Sequence, residues 1–127
     1  MLRTAFLTTV FAITATIASA GDPGGLWQSE KDEDGDWIDL AIEPCGSAFC
    51  GRVAKVHGGN PKFVGLTVIQ GMTRVDENSW SDGKIFAVDE DTWYDSKMEL
   101  IAPDKLKVSG CLAYGLLCKS QTLRRHP

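Results

Sequence analysis

Short runs in which apolar and polar residues alternate make up most of the chain beyond residue 20. In residues 37–43 the side chains of Ile38, Leu40 and Ile42 alternate with more polar neighbours. Residues 93–101 alternate in the same way, with one face formed by Tyr94, Ser96, Met98 and Leu100. A period of two predicts strands with one buried face, and no stretch of this part of the chain shows an extended helical period. Further runs of this kind cover residues 25–29, 51–56, 63–70, 83–88, 106–110 and 117–125.

Turn residues separate these runs. Asp34-Gly35 is a hairpin signal, and Pro44 is expected to end the strand before it. Residues 73–82 are polar and irregular, which predicts a longer loop containing Trp80. About eight short strands predict an all-β fold, either a small antiparallel up-and-down barrel or a sandwich. We favour the barrel because closure removes exposed strand edges.

The first twenty residues have the features of a cleavable signal peptide. Arg3 supplies the positive charge, residues 5–17 the uncharged apolar segment, and Ala18-Ser19-Ala20 the cleavage motif. The alternative is a membrane anchor, but the apolar run is shorter than the roughly 20 residues that a spanning helix needs. We therefore expect cleavage after Ala20, one domain over residues 21–127, no membrane insertion, and a periplasmic or secreted protein.

The charge pattern excludes two classes of partner. Without Arg3 the chain carries 12 basic and 17 acidic residues, a net charge of −5, with both signs interspersed. Nucleic acid and anionic membranes both require a basic surface, so neither is expected to bind. A small hydrophobic ligand and a protein of the cell envelope remain as partners, and the oligomeric state stays open.

The four cysteines are Cys45, Cys50, Cys111 and Cys118. An even number in a small exported domain predicts two disulfides. Of the three possible pairings, the sequence-local one (45–50 and 111–118) is favoured, because each pair flanks an expected hairpin turn. Facing residues of an antiparallel pair lie within disulfide reach.

The acidic turn at residues 31–36 is the best candidate for a cation site. Asp32, Asp34 and Asp36 have the spacing of the first calcium ligands of an EF-hand, with Glu43 at the last ligand position. The glycine of that motif is misplaced, and Trp37 stands where it is required. We interpret the segment as a solvated hairpin turn.

Other site chemistry is poorly supported. His57 and His126 lie far apart in the sequence, so a zinc site is not expected. Neither cysteine pair has the C-x-x-C spacing of a thiol redox site, and no nucleophile motif is present. The sequence therefore predicts no catalytic residue, no metal and no cofactor.

Aromatic residues provide the candidate ligand site. The chain has four tryptophans, and in a small barrel such side chains either fill the interior or line one small pocket. The candidate ligand-binding residues are Trp27, Leu40, Tyr94 and Met98. The wider set of expected interior residues adds Ile38, Ile42, Leu100 and Val108.

The order and spacing of four segments resemble a family of exported bacterial proteins catalogued as a domain of unknown function (DUF2147). The segments are GLW at residues 25–27, CGSAFCGRV at 45–53, VGL at 64–66 with Asn60-Pro61 before it, and GCLAYGLLCKSQTLRR at 110–125. The resemblance implies a lipocalin-like barrel in which Trp27 packs against Arg125 (or Arg124) to close one end. Two departures are Leu123, where the family usually has Trp, and the short segment between Val56 and Val64.

Two hypotheses of function follow. The first is a non-enzymatic periplasmic module that binds a small apolar or amphipathic ligand inside an eight-stranded lipocalin-like barrel with two hairpin disulfides. The second is a protein-interaction or structural module of the cell envelope, with a filled barrel. An enzyme is the third and weakest alternative, because no base and nucleophile are paired.

Overall fold

The computed structural model describes residues 21–112 and 116–127, so the predicted signal peptide at residues 1–20 lies outside the described residues. Eight antiparallel strands form a closed barrel in sequence order, which confirms the predicted all-β, up-and-down architecture. A short 3-10 helix, Pro61–Phe63, precedes the fourth strand. No helix in the described part of the chain is long and apolar enough to span a membrane. The strands are β1 Gly25–Gln28, β2 Trp37–Cys45, β3 Ala48–His57, β4 Thr67–Asp76, β5 Ser79–Ala87, β6 Thr92–Ala102, β7 Lys105–Leu112 and β8 Leu117–Arg125.

The connections define two ends of the barrel. Because consecutive strands are antiparallel, the segments at residues 29–36, 58–66 and 88–91 lie at one end, here called the loop end. The tight turns at residues 46–47, 77–78 and 103–104 lie at the opposite end, here called the base. Pairing of Trp27 with Arg125 and of Gln28 with Arg124 joins β1 to β8 and closes the sheet.

The predicted loop at residues 73–82 is wrong. This segment forms the end of β4, a tight turn and the start of β5, and Trp80 faces the core with 1% of its surface exposed. Gly71 and Asp82 have positive φ angles of 67° and 60°, and the pairing register shifts on both strands. Each irregularity inserts an extra residue, so inward positions fall three apart instead of two. The alternation that signals a strand is lost at this point.

The predicted end of the second strand at Pro44 is also wrong. β2 continues to Cys45, and Pro44 pairs in register with Phe49 on β3. Proline lacks an N–H donor, but at the end of a strand the ladder can continue past it for one residue. The hairpin then closes at the turn that follows.

The interior is filled from the base to the middle of the barrel. A side chain that borders a space large enough for water keeps accessible surface, but Trp27, Met72 and Leu106 keep none. Three inward glycines make room for larger neighbours. A Cβ atom at Gly83 would lie 2.5 Å from Met72 Sδ, one at Gly51 3.2 Å from Ile69 Cβ, and one at Gly110 3.2 Å from Ile85 Cγ2. These neighbours occupy the space that a ligand along the barrel axis would need.

Two disulfides join neighbouring strands, which confirms the sequence-local pairing. Cys45–Cys50 connects β2 to β3 at the base, with a Cα–Cα distance of 5.7 Å. Cys111–Cys118 connects directly opposed residues of β7 and β8 near the loop end, at 4.1 Å. None of the four cysteines is free. The bonds indicate an oxidising environment.

Candidate functional site

The base is closed around the indole ring of Trp27. The guanidinium of Arg125 lies 4.2 Å from the ring centre, and Trp27 Nε1 donates a hydrogen bond of 2.9 Å to the carbonyl of Pro23. The Arg125 side chain also donates to the carbonyls of Asp22, Gly24 and Pro103. These bonds tie the segment before β1 to the β6–β7 turn, so this end is sealed by backbone as well as by the indole.

The candidate ligand residues fall into two groups. Trp27 and Leu40 pair across β1 and β2, and both are buried in the core, as is Met98. Tyr94 is separate from them, half-buried near the loop end and paired with Ile85. The structure therefore places three of the four candidates in the packed interior.

The loop end is apolar and partly open. Four interior side chains there are only half-buried while they pack against the core: Ile38, Val56, Ile85 and Val88. Large apolar side chains also reach solvent where β6 begins, β7 ends and β8 begins. Their exposed fractions are 41% for Trp93, 49% for Leu112, 87% for Leu116 and 65% for Leu117. We call these four residues the apolar rim.

Tyr94 and Glu90 form a polar pair at the loop end, near the apolar rim. The hydroxyl of Tyr94 donates a hydrogen bond to the carboxylate of Glu90, in the turn between β5 and β6. This bond, assisted by desolvation and by the negative charge of Glu90, raises the pKa of Tyr94 above its ordinary value of 10.0. With Asp89 and Asp91 in the same turn, the loop end has an acidic edge.

The acidic turn holds its carboxylates close together. Ligand oxygens of Asp32, Asp34 and Asp36 lie within 4.8 Å of one another. However, Asp32 Oδ1 already accepts hydrogen bonds from the backbone N–H groups of Asp34 and Asp36. Glu43, the remaining EF-hand position, lies on β2 and accepts from Arg52 at 3.1 Å. This geometry is that of a capped turn rather than of an EF-hand loop.

The described residues form surface clefts on the barrel wall, two of which are large enough for a small molecule. One, of about 400 Å³, is lined by Gln28, Ser29, Glu30, Lys31, Trp37, Thr122 and Arg124. The other, of about 440 Å³, is lined by Ser81, Asp82, Gly83, Lys84, Asp95, Ser96, Lys97 and Cys111. Both are mostly polar in residue type, and none of the four candidate ligand residues lines either.

The structure brings together three side chains that the sequence analysis did not connect. His57 and His126 both face the carboxylate of Asp39 on the outer wall of the barrel. Local spacing gives no sign of this cluster, because the two histidines stand on β3 and directly after β8. Only closure of the barrel between β8 and β1 brings them onto one surface.

A closed eight-stranded up-and-down barrel, with an arginine of the last strand over a tryptophan of the first, is a lipocalin-like fold. The chain belongs to the bacterial family described as "Uncharacterized protein conserved in bacteria (DUF2147)", which it matches over residues 25–125. No curated protein sequence is significantly similar to it.

Two solved structures share this fold. Protein HP1028 from Helicobacter pylori, described as belonging to the lipocalin family, superimposes with a TM-score of 0.68 at 14% identity, covering 84% of each chain. A redesigned β-barrel superimposes with a TM-score of 0.52 at 18% identity, covering 82% of this chain and 91% of the other. At these identities the similarity concerns the fold alone.

Proposed function

We propose that this chain is a non-enzymatic binding protein of the periplasm that holds a small amphipathic molecule at the loop end of its barrel. The observation that carries the proposal is the apolar rim. Exposed apolar side chains concentrated in one patch of a small protein mark an interaction site. Trp93, Leu112 and Leu117 supply exposed apolar surface at one end of the barrel, beside half-buried interior residues.

The ligand would sit across the loop end instead of along the barrel axis. Met72, Ile69 and Ile85 fill the space beside the inward glycines, so a molecule between Trp27, Leu40 and Met98 would have to displace packed side chains. In this proposal those three residues are structural. Tyr94, the fourth candidate, contacts the ligand.

The acidic edge suggests the polarity of the ligand. The turn at residues 89–91 is three consecutive acidic residues, and Tyr94 and Trp93 follow it closely. An aromatic face beside carboxylates attracts a cation, a quaternary ammonium group above all. We propose an apolar tail against the rim and a cationic or neutral polar group near Glu90.

A binding role also fits the state of the possible nucleophiles. All four cysteines are in disulfides and so cannot act as thiolates.

Export is part of the proposal, and it predicts a mature chain that begins at Gly21. Mass spectrometry of protein from the native envelope tests this, and an intact N-terminus would contradict it.

Tryptophan fluorescence can test the ligand site, because Trp93 is at the rim while Trp37 lies on the wall, stacked on His57. The probes are dodecyltrimethylammonium and dodecyl sulfate, each below its micelle concentration. We expect the cationic probe to shift the emission of the unchanged protein and of Trp37→Phe, and to have little effect on Trp93→Phe. A response that persists in Trp93→Phe and is lost in Trp37→Phe would move the site to the wall.

The second candidate function is a protein-interaction module of the cell envelope. It is favoured by the filled interior, in which Met72 and Trp80 are almost fully buried. In that case the rim binds an apolar segment of a protein. The absence of any fluorescence response to both probes, together with no small molecule retained in native mass spectrometry, would favour this candidate over the first.

A further inference from the structure

The outer wall formed by β8, β1, β2 and β3 carries a cluster separate from the apolar rim. Asp39 on β2 pairs in register with Gln28 on β1 and with Lys55 on β3. The backbone N–H of His126 donates to the carbonyl of Leu26, which extends the β8–β1 pairing by one residue. This arrangement sets His126 and His57 on either side of the same carboxylate.

Asp39 is unusual for a residue on an outer wall. It is 4% exposed, and its Oδ1 is buried without a hydrogen-bond partner in the described chain. Its Oδ2 lies 2.9 Å from His57 Nε2 and 3.9 Å from His126 Nε2. A buried carboxylate oxygen without a partner is costly, and an ordered water or an ion held by both carboxylate oxygens can satisfy it. Lys55, opposite in register, is exposed to solvent.

We propose that Asp39, His57 and His126 bind a divalent first-row transition-metal ion, with Zn²⁺ as the reference. Two imidazoles and one carboxylate are a common ligand set for such ions. Zinc–ligand bonds of about 2.0–2.1 Å place tetrahedral ligand atoms roughly 3.3 Å apart. The two carboxylate–imidazole distances bracket that value. The structure shows these two sides of the ligand triangle. The Nε2 atoms of His57 and His126 stand more than 4.8 Å apart, so a bound ion would have to draw the His126 ring towards His57.

Both imidazoles have the supporting contacts expected of metal ligands. His126 Nδ1 lies 3.0 Å from the carbonyl oxygen of Pro127, a contact that suits the tautomer in which Nδ1 donates and the lone pair is on Nε2. The ring of His57 is stacked on Trp37, with centroids 4.4 Å apart and planes 8° from parallel. Because that stacking fixes the ring plane, Nε2 is held towards Asp39.

Calorimetric titration of untagged, EDTA-treated protein with Zn²⁺ tests the site. We expect one ion per chain, and affinity reduced at least tenfold in His57→Gln and in His126→Gln. The matched control is Asp34→Asn, which removes a carboxylate of the acidic turn, the other cluster of possible ligands. This variant should bind Zn²⁺ as the unchanged protein does.

Co²⁺ provides a second measurement, since its visible absorption reports imidazole ligation. His126 is exposed near the end of the described chain, so His126→Gln should keep its thermal unfolding curve and still lose the Co²⁺ bands. The absence of saturable Zn²⁺ binding, unchanged affinity in both histidine variants, or loss of binding in Asp34→Asn would each overturn the proposal. None of these measurements depends on the amphiphile site.

Discussion

The base and the loop end of the barrel are built from the same alternating strands, but they use their inward positions differently. At the base, Trp27 is fully buried beneath Arg125, whose guanidinium binds three backbone carbonyls. At the loop end, interior residues such as Ile38 are half-buried and the rim exposes Trp93 and Leu117. The two ends therefore differ in role. The base closes and stabilises the fold, and the loop end keeps apolar surface that a partner can cover.

The largest expected effect on stability comes from replacing the tryptophan at each end, one at a time, by alanine. Trp27→Ala should lower the free energy of unfolding by about 3–5 kcal/mol, because it leaves a cavity in the packed base and removes the partner of Arg125. Trp93→Ala should cost about 1 kcal/mol or less, since Trp93 is 41% exposed and rests mainly on Phe86. Chemical denaturation followed by circular dichroism measures both. Equal losses would show that the two ends do not differ in packing.

The two disulfides give the next comparison. The Cys45→Ala, Cys50→Ala double variant should lose about 2 kcal/mol of stability, the loop-entropy value for a short loop, and keep its response to amphiphile. The Cys111→Ala, Cys118→Ala variant should lose a similar amount and also bind amphiphile more weakly, because Leu112 and Leu117 flank that bond. Melting curves and probe titrations measure the two quantities. If binding vanished in the 45/50 variant at unchanged stability, the bond at the base would not be a simple staple.

The sequence predicts strands with regular alternation better than strands that contain inserted residues. Where strands alternate regularly, as at Ile38, Leu40 and Ile42, the inward face follows from a period of two. Where Gly71 and Asp82 insert extra residues, Trp80 moves to an inward position that the pattern does not show. The cysteine pairing was predictable because each pair is local and flanks a hairpin turn.

The cluster of Asp39, His57 and His126 was less predictable than the fold, because it depends on the pairing of strands that are far apart in the sequence. Asp39, His57 and His126 meet only when β8 closes onto β1, and no local spacing contains that information. The packing of Ile69, Met72 and Ile85 beside glycines also lies across strands. A pattern of apolar positions can therefore name interior residues without showing whether space is left among them.

The smallest expected effect concerns the polar pair at the loop end. In Glu90→Gln the pKa of Tyr94 should fall towards 10.0, because the charged acceptor that favours the protonated phenol is gone. Because folding raises this pKa, the pair's contribution to stability is complete below pH 10.0 and is lost as the pH rises through the higher folded value. Glu90→Gln should therefore remove that contribution at neutral pH, where the loss is small because the pair is exposed, and should leave stability above the folded pKa unchanged. The titration uses tyrosinate absorbance in a Tyr114→Phe background, since the chain has two tyrosines. An unchanged titration would show that Glu90 does not hold Tyr94 in solution, and the polar end of the proposed ligand site would then lose its anchor.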